Sequence, residues 1–378
     1  MLKRILKSLK RMLYILLGLI LLLVIGYYLF VSLHPVFGGD VDKELQKEYA
    51  TSENYEEGKF INIDGVDEDI SFGQGMTIMR KMLFNKFPNA KPKGELPLIK
   101  ADSAQVADYI GSPRLIWFGH STFLLQMEGK HILIDPMLTD MPSPISRDAQ
   151  RRFNDALPIE IEQLPRIDAV LISHDHYDHL DYKSIKRLRD KVDHFFVPLG
   201  VAVHLEAWDV PKSKITEMDW WQETQYMGFR FACTPAQHFS GRKFNNRAST
   251  LWASWVVSST HHNIFFSGDS GYNDHFKAIG DAYGPFDFAM MECGQYDELW
   301  PLIHMMPEET AQAGLDVKAK VIMPIHWGAF QLAMHDWDDP VIRVVEKAKE
   351  IGMPVVVPKI GEYIYIDSMH NPTFEKWW

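Results

Sequence analysis

Residues 170–181, VLISHDHYDHLD, place three histidines and three aspartates directly behind a short apolar run. The apolar run is typical of a buried strand, whereas His and Asp side chains are costly to bury unless they are paired or bound to a cation. Four of the polar side chains supply nitrogen and carboxylate donors that suit zinc or another first-row divalent metal: His174, His176, Asp178 and His179. These four lie too close in sequence to surround one ion tetrahedrally. The stretch therefore predicts ligands that are divided between two adjacent ions.

Such a two-metal site needs further ligands, including a carboxylate that bridges the ions. Suitable side chains follow three later predicted strands, His238 in TPAQHFSGR, Asp269 in FFSGDSGY and His326 in MPIHWGAF. Because each side chain comes just after a strand, all three can project from the same edge of the sheets. A solvated polar loop is the alternative explanation for the cluster, and the three downstream motifs weigh against it.

Strand-like and helical stretches alternate over residues 108–370, which we take as the main domain. RLIWFGHSTFLLQM and HILIDP predict a hairpin that ends at Asp135, and TLWASWVVSS and NIFFSGDS predict a second hairpin that ends at Asp269. Helical stretches follow in both halves. This order favours an α/β domain with two packed sheets and helices outside. Residues 35–107 are polar, with Gly and Pro, and predict a linker and an N-terminal extension.

Residues 1–34 predict a membrane anchor. No charged residue occurs from Met12 to Leu33, and at about 1.5 Å per residue this run can cross a hydrocarbon core of roughly 30 Å. The basic residues before it predict a cytoplasmic N-terminus, a single membrane pass and a catalytic domain outside the cytoplasm. A cleaved signal peptide is one alternative, but the run is longer than a usual signal core and lacks an evident cleavage site. A buried core helix is the other alternative.

Composition excludes several classes of protein. The formal net charge is −11, and because the first eleven residues are basic the rest of the chain is more acidic still. Nucleic-acid binding relies on basic surface, so no nucleic-acid partner is expected. The two cysteines, Cys233 and Cys293, cannot form a disulfide framework or a Cys-rich zinc module. They predict either one disulfide or two buried thiols.

The motifs HDHYDHLD, PAQHFSGR, FSGDSGY and PIHWGAF together resemble the metallo-β-lactamase fold superfamily. Within it, WFGHSTFLLQMEGKHILIDP, LPRIDAVLISHDHYDHLD and HMMPEETAQA are similar to the branch that contains N-acyl-phosphatidylethanolamine phospholipase D and its bacterial relatives. The likeness covers residues 114–366. It implies a four-layer αββα sandwich with two divalent metal ions, zinc being expected and Mn2+ or Fe2+ the alternatives. MECGQYDELW departs from the Ala-Tyr-x-Pro-like stretch typical of the branch.

The resemblance also implies which residues bind the ions. Three imidazoles would bind the first ion: His174, His176 and His238. One carboxylate and two imidazoles would bind the second ion: Asp178, His179 and His326. Asp269 would bridge the two ions, and a hydroxide held between them would be the nucleophile.

Further residues receive roles from the same resemblance. Asp135 would accept the second N–H of a ligand histidine and so orient it. His304, in LIHMMPEE, would contact the substrate, and with Asp269 and Asp178 it forms the predicted catalytic set. Three more side chains are predicted substrate contacts: Arg242, Arg247 and His120. For His120 a purely structural hydrogen bond is the alternative.

A phosphodiester of phospholipid type is the substrate class that the branch and the anchor favour together, because an enzyme tethered at a bilayer meets lipids. A lactonase or other ester hydrolase of the superfamily is the second hypothesis, since the same nucleophile can attack an ester carbonyl. A non-catalytic metal-binding scaffold is the third, although its seven ligand positions would be expected to show gaps. The expected partners are therefore the bilayer and a membrane lipid or another small ester or phosphodiester. The oligomeric state is undetermined.

Overall fold

The computed structural model describes residues 2–65, 71–84, 87–145, 148–369 and 374–378. The predicted end of the catalytic domain, residue 370, lies outside the described residues. The α-helices of the described chain are α1 (Leu2–Leu33), α2 (Lys43–Tyr49), α3 (Phe72–Phe84), α4 (Ser103–Ala107), α5 (Tyr182–Leu188), α6 (Ala202–Ala207), α7 (His275–Tyr283), α8 (Pro307–Asp316) and α9 (Asp339–Ile351). Its strands are β1 (Tyr55–Glu56), β2 (Lys59–Phe60), β3 (Arg114–Trp117), β4 (Phe123–Met127), β5 (Lys130–Ile134), β6 (Ile167–Leu171), β7 (Val192–Pro198), β8 (Ile215–Met218), β9 (Glu223–Tyr226), β10 (Phe229–Thr234), β11 (Ser254–Ser258), β12 (Asn263–Phe266), β13 (Phe288–Glu292), β14 (Ile322–Ile325) and β15 (Tyr363–Tyr365).

The first large sheet has seven strands in the order β15-β3-β4-β5-β6-β7-β8. The strands from β15 to β5 pair antiparallel, and those from β5 to β8 pair parallel. Successive residues of a strand point to opposite faces. Leu115 and Leu171 pack toward the second sheet, whereas Ile116 and Val170 pack with residues of α5 and α6. Because both faces are covered, these strands are apolar throughout.

The second large sheet has six strands in the order β14-β13-β12-β11-β10-β9. Its outer face is covered by α7, α8 and α9, whose buried side chains include Phe276, Ala311 and Val344. The two sheets pack face to face, with the ring of Phe196 on β7 lying 4.7 Å from the ring of Phe231 on β10. The predicted αββα sandwich is therefore confirmed.

Helix α1 carries the run that was predicted to be a membrane anchor. It is long and apolar enough to cross a membrane, and none of its most apolar window is buried inside the protein. A buried core helix is therefore the wrong alternative. The sidedness of the domain stays a prediction.

Residues 35–107 do more than link α1 to the domain. Tyr49, Tyr55, Phe60 and Leu96 are buried in the main core. The hydroxyl of Tyr49 also lies 3.2 Å from the carboxylate of Glu217 on β8. These apolar residues are spread singly among polar ones, so the local pattern contained no periodic signal of their burial.

Both cysteines are free and buried. Cys233 lies on β10 and Cys293 follows β13, and burial raises the pKa of each thiol well above its usual value. Of the two alternatives, the pair of buried thiols is the one that the structure contains. A raised pKa leaves a thiol protonated and unreactive at neutral pH.

Replacing Phe231 by Ala is expected to destabilise the fold, because it opens a cavity between the two sheets. The expected loss is about 3–5 kcal/mol in the free energy of unfolding, measured by urea denaturation of the full chain in detergent. Tyr365→Ala is the control, because this half-exposed ring lies on an edge strand. Its expected change is within about 0.5 kcal/mol. Equal destabilisation by the two substitutions would contradict the packing described for Phe231.

Candidate metal centre

The predicted ligands all lie where strands end, at one edge of the two sheets. β6 runs into the loop of residues 172–181, and β10, β12 and β14 end shortly before His238, Asp269 and His326. Their nitrogen and carboxylate atoms form groups whose members lie within 4.8 Å of one another. The sandwich thus brings together side chains that are up to 152 positions apart in sequence, as separate strands deliver them to a common edge.

The first group consists of three imidazoles and one carboxylate. The Nδ1 atom of His176 lies 2.8 Å from Nε2 of His174 and 3.2 Å from Nε2 of His238. The Oδ2 atom of Asp269 lies 3.8 Å from the Nε2 atoms of both His174 and His238. The Nδ1 atom of His238 is 2.9 Å from the carbonyl oxygen of Ile303, so it carries the proton. Its Nε2 atom therefore turns a lone pair toward the group.

The second group surrounds Asp178. Its Oδ2 atom lies 2.7 Å from Nε2 of His120, 3.4 Å from Nε2 of His179 and 4.0 Å from Nε2 of His326. Asp269 reaches this group too, because its Oδ2 atom is 3.1 Å from Nε2 of His179 and its Oδ1 atom is 3.1 Å from Nδ1 of His326. A single carboxylate therefore faces both groups.

Three observations indicate that these residues suit two divalent ions. Within the described chain, His120 Nδ1, His179 Nε2 and Asp269 Oδ1 are buried polar atoms without a hydrogen-bond partner, which is costly unless another group binds them. Imidazole nitrogen with carboxylate oxygen is a donor set for zinc and similar ions. Burial lowers the pKa values of His174, His238 and His326 well below that of free histidine. Each is then neutral, which is the form that binds metal.

The two central carboxylates differ in their surroundings. Burial raises the pKa of Asp269 to about 6, although His179 opposes the rise. Burial alone would also raise the pKa of Asp178, but the adjacent His179 and His120 outweigh it and lower the pKa well below the usual value. Asp178 is therefore held as an anion by its histidine neighbours.

Asp135 lies behind the second group. Its Oδ2 atom accepts the Nδ1 proton of His179 at 2.7 Å, and its Oδ1 atom accepts the backbone N–H of Ser173 at 2.7 Å. This arrangement leaves Nε2 of His179 facing Asp178 and Asp269. Asp135 therefore lies where a residue that orients a ligand histidine must lie.

The remaining predicted residues have different surroundings. His120 is completely buried and lies among the candidate ligands of the second group, and its contact with substrate stays a prediction. Arg242 is buried, and its guanidinium donates to the carbonyl oxygens of Val36, Asp175 and Leu180. Its contact with substrate stays a prediction. The nearness of Arg242 to His238 in sequence did not indicate these hydrogen bonds.

Arg247 and His304 are closer to the first group. The guanidinium of Arg247 lies 4.0 Å from the ring of Phe239, which is itself 4.5 Å from the ring of His176. The ring of His304 lies 5.1 Å from the ring of His238 and 5.2 Å from that of His326. Both side chains therefore remain candidates for contact with substrate.

Two residues of the site were not predicted. Glu292 is fully buried, and its carboxylate lies 3.2 Å from Nδ1 of His304 and accepts the backbone N–H of Met305. It belongs to MECGQYDELW, the stretch that departs from the branch, and that departure was the available signal. Asn62, from the N-terminal extension, donates to the carbonyl of His238 at 2.8 Å and accepts its N–H at 3.0 Å. No local pattern indicated this contact.

Known proteins resemble this chain in both sequence and fold. Residues 130–327 match the family described as the beta-lactamase superfamily domain. An uncharacterized protein of Mycobacterium tuberculosis is 36% identical over 364 residues, which cover 93% of this chain and 95% of that protein. An N-acyl-phosphatidylethanolamine-hydrolyzing phospholipase D of Caenorhabditis elegans is 31% identical over 233 residues, 58% of this chain and 65% of that protein. The solved structure of a metallo hydrolase from the archaeon Ignicoccus hospitalis has a TM-score of 0.50 at 21% identity and covers 67% of this chain and 98% of its own.

Replacing Asp135 by Asn is expected to weaken metal binding roughly 10- to 100-fold, because His179 loses the carboxylate that orients it. Competition with a fluorescent chelator measures this change. Asp168→Asn is the matched control. Asp168 lies on β6, outside the groups of candidate ligands, where it accepts the backbone N–H of His131. Unchanged metal affinity in Asp135→Asn would contradict the supporting role.

Proposed function

The chain belongs to the metallo-β-lactamase superfamily, and from that premise we propose that it is a phosphodiesterase that acts on phospholipid-type substrates. The predicted fold, family and metal-dependent hydrolase class are confirmed. The observation that carries the proposed reaction is the position of Asp269, whose carboxylate faces both histidine groups. The proposed substrate rests on the 31% identical phospholipase D and on the apolar helix α1.

Two divalent ions, zinc in our proposal, would supply an activated water and positive charge for the oxygens of a phosphodiester. The first ion would be held by His174, His176 and His238. The second ion would be held by Asp178, His179 and His326, and Asp269 would join the two sites. His120 would fix the orientation of Asp178 through the hydrogen bond at its Oδ2 atom.

His304 would act on the substrate from beside His238 and His326, whose rings lie 5.1 Å and 5.2 Å from its own. Its Nδ1 atom is engaged by Glu292, so Nε2 is the atom available to exchange a proton with a substrate oxygen. Glu292 is in turn held by the N–H of Met305, so the ring is oriented before substrate binds. Arg247, above Phe239, would contact a phosphate oxygen.

We further propose that α1 is retained as a single-pass anchor with its N-terminus in the cytoplasm and the catalytic domain outside. The five basic residues that precede the apolar run support this orientation. An outward-facing domain would meet the lipids of the outer surface of that membrane.

The metal-loaded full chain is expected to hydrolyse bis(p-nitrophenyl) phosphate and N-acyl-phosphatidylethanolamine, with metal-stripped protein losing roughly a thousandfold in rate, equivalent to about 4 kcal/mol of transition-state stabilisation. His176→Ala should lose metal and activity together, as measured by elemental analysis and turnover. His261→Ala, in an exposed turn, is the control. Hydrolysis of acyl lactones with no hydrolysis of either phosphodiester would favour the lactonase alternative. Full activity in His176→Ala would exclude the proposed site.

Burial raises the pKa of Glu292 well above its usual value. Replacing Glu292 by Gln is expected to lower kcat about 100-fold with little change in KM, because an amide beside His304 cannot take up or release a proton as the carboxyl group can. Steady-state kinetics with bis(p-nitrophenyl) phosphate separate the two constants, and elemental analysis should show unchanged metal content. Glu308→Gln, which alters a half-exposed pair with Arg343, is the control. A change in KM alone, or loss of metal, would contradict this role for Glu292.

A further inference from the structure

An apolar cavity of about 320 Å³ lies where the end of α1 meets the loops that carry the candidate ligands. We call it the anchor cleft. Its apolar and aromatic lining includes Tyr27, Phe30, Phe37, Ile145, Tyr177 and Phe244, and Arg242 and Lys243 also line it. Its volume falls at the lower end of the range for small-molecule sites. None of the candidate metal ligands lines it, so it is separate from the metal centre.

The chain just after α1 is fixed against the ligand loop. The carbonyl of Val36 accepts two hydrogen bonds from the guanidinium of Arg242, and the carbonyl of Pro35 accepts one from the indole of Trp208. Gly38 packs so closely that a Cβ atom there would lie 2.2 Å from Nδ1 of His204. The end of α1 is therefore attached to the catalytic domain by specific short contacts.

Tyr177 connects the anchor cleft to the metal centre. It stands between His176 and Asp178, two candidate ligands of different ions. Its ring lies 6.4 Å from that of Phe37, and its hydroxyl donates to the carbonyl of Arg242. Tyr177, which lines the anchor cleft, is therefore adjacent in sequence to one candidate ligand of each ion.

Contacts between Tyr27 and Phe244 relate the anchor cleft to the predicted membrane-spanning run. The backbone N–H of Phe244 donates to the hydroxyl of Tyr27 at 3.1 Å, and their rings are 5.2 Å apart. Tyr27 lies six residues before the end of α1, which is about 9 Å along the helix axis at about 1.5 Å per residue. It belongs to the uncharged run from Met12 to Leu33. If that run spans a bilayer, the loop that carries Phe244 reaches the interfacial layer.

The side chains at the mouth suit that environment. Phe244 is 91% exposed and Ile145 is 51% exposed, although both are large and apolar. They lie beside the exposed apolar residues of α1 and continue its apolar surface. Apolar side chains at an interface are typical of a surface that inserts among lipid chains.

We propose that the anchor cleft binds one acyl chain of a bilayer lipid and thereby holds the lipid headgroup near the metal centre. The occupant is an acyl chain because the mouth of the cleft is apolar and because an α1 that spans a bilayer would hold it at membrane depth. Occupancy of the cleft by an acyl chain rests on the proposed membrane anchoring of α1, and the headgroup bond that is cleaved rests on the proposed reaction.

The test uses the full chain in vesicles of phosphatidylethanolamine and phosphatidylglycerol that contain a phosphatidylethanolamine with a diazirine near the end of one acyl chain. After illumination, mass spectrometry locates the crosslinks. Phe37 is only 5% exposed, so bulk lipid does not reach it. Crosslinks to Phe37 and Tyr177 are expected, and they should persist in metal-stripped protein because neither residue is a candidate ligand.

Ile145→Trp should fill the mouth and lower crosslinking to Phe37 about fivefold, the effect of roughly 1 kcal/mol of steric exclusion. Phe244→Ser should lower crosslinking to Phe37 as well. Because Phe244 is exposed, this substitution should leave the stability of the fold unchanged. The matched control is Ile110→Trp, since Ile110 is 85% exposed and does not line the cleft. Crosslinks confined to the exposed face of α1, or equal crosslinking to Phe37 in Ile145→Trp and Ile110→Trp, would overturn the proposal.

Kinetics separate this inference from the proposed function. The wild type should prefer a palmitoyl to a butyryl phosphodiester by at least about tenfold in kcat/KM, since each buried methylene contributes roughly 0.8 kcal/mol. Crosslinked Phe37 without hydrolysis of any phosphodiester would leave the anchor cleft intact and refute the proposed reaction. Equal hydrolysis of the palmitoyl and butyryl phosphodiesters without crosslinks to Phe37 would support the proposed reaction and refute lipid binding in the anchor cleft.

Discussion

The shared carboxylate of Asp269 is the constraint on which the rest of the structure depends. Its two oxygens lie within 3.1–3.8 Å of histidines from both groups, so the ends of β6, β10, β12 and β14 must all meet at one point. Such burial of ionisable groups is stable only when they are paired or bound to a cation. A large two-sheet core supplies the rigidity that holds them there.

Local backbone strain accompanies this convergence. His120, Asp135 and His326 all have positive φ angles, which are rare for residues other than glycine and are maintained only where the surrounding structure determines them. The backbones of His120 and His326 are linked, because the N–H of His326 donates to the carbonyl of His120. Gly294 approaches the carbonyl of His326 so closely that a Cβ atom would lie 1.9 Å from it. Glycine is therefore required beside this ligand position.

Sequence patterns performed well where chemistry and secondary structure coincide. His238, Asp269 and His326 each follow an apolar strand, and strand ends meet at sheet edges, so their grouping could be predicted. The hydrogen bonds of Arg242 to Val36, Asp175 and Leu180 could not be predicted, because nearness in sequence to His238 does not give the direction of a long side chain. Asn62 could not have been found, since it reaches His238 from 176 positions away through a fold whose register no local pattern encodes.

The sequence by itself determined an α/β domain with two packed sheets, the apolar helix and the closely spaced donor residues, because these are local patterns, and its resemblance to a known superfamily implied the αββα class and the seven candidate ligands. Only the tertiary structure decided that His120 joins the second group, that Glu292 supports His304 and that α1 is attached beside the ligand loop. Each of these is a contact between distant segments, and its geometry follows from how sheets, loops and helix pack. The division of VLISHDHYDHLD between two groups was encoded locally, whereas the cleft beside Tyr177 exists only in the folded chain.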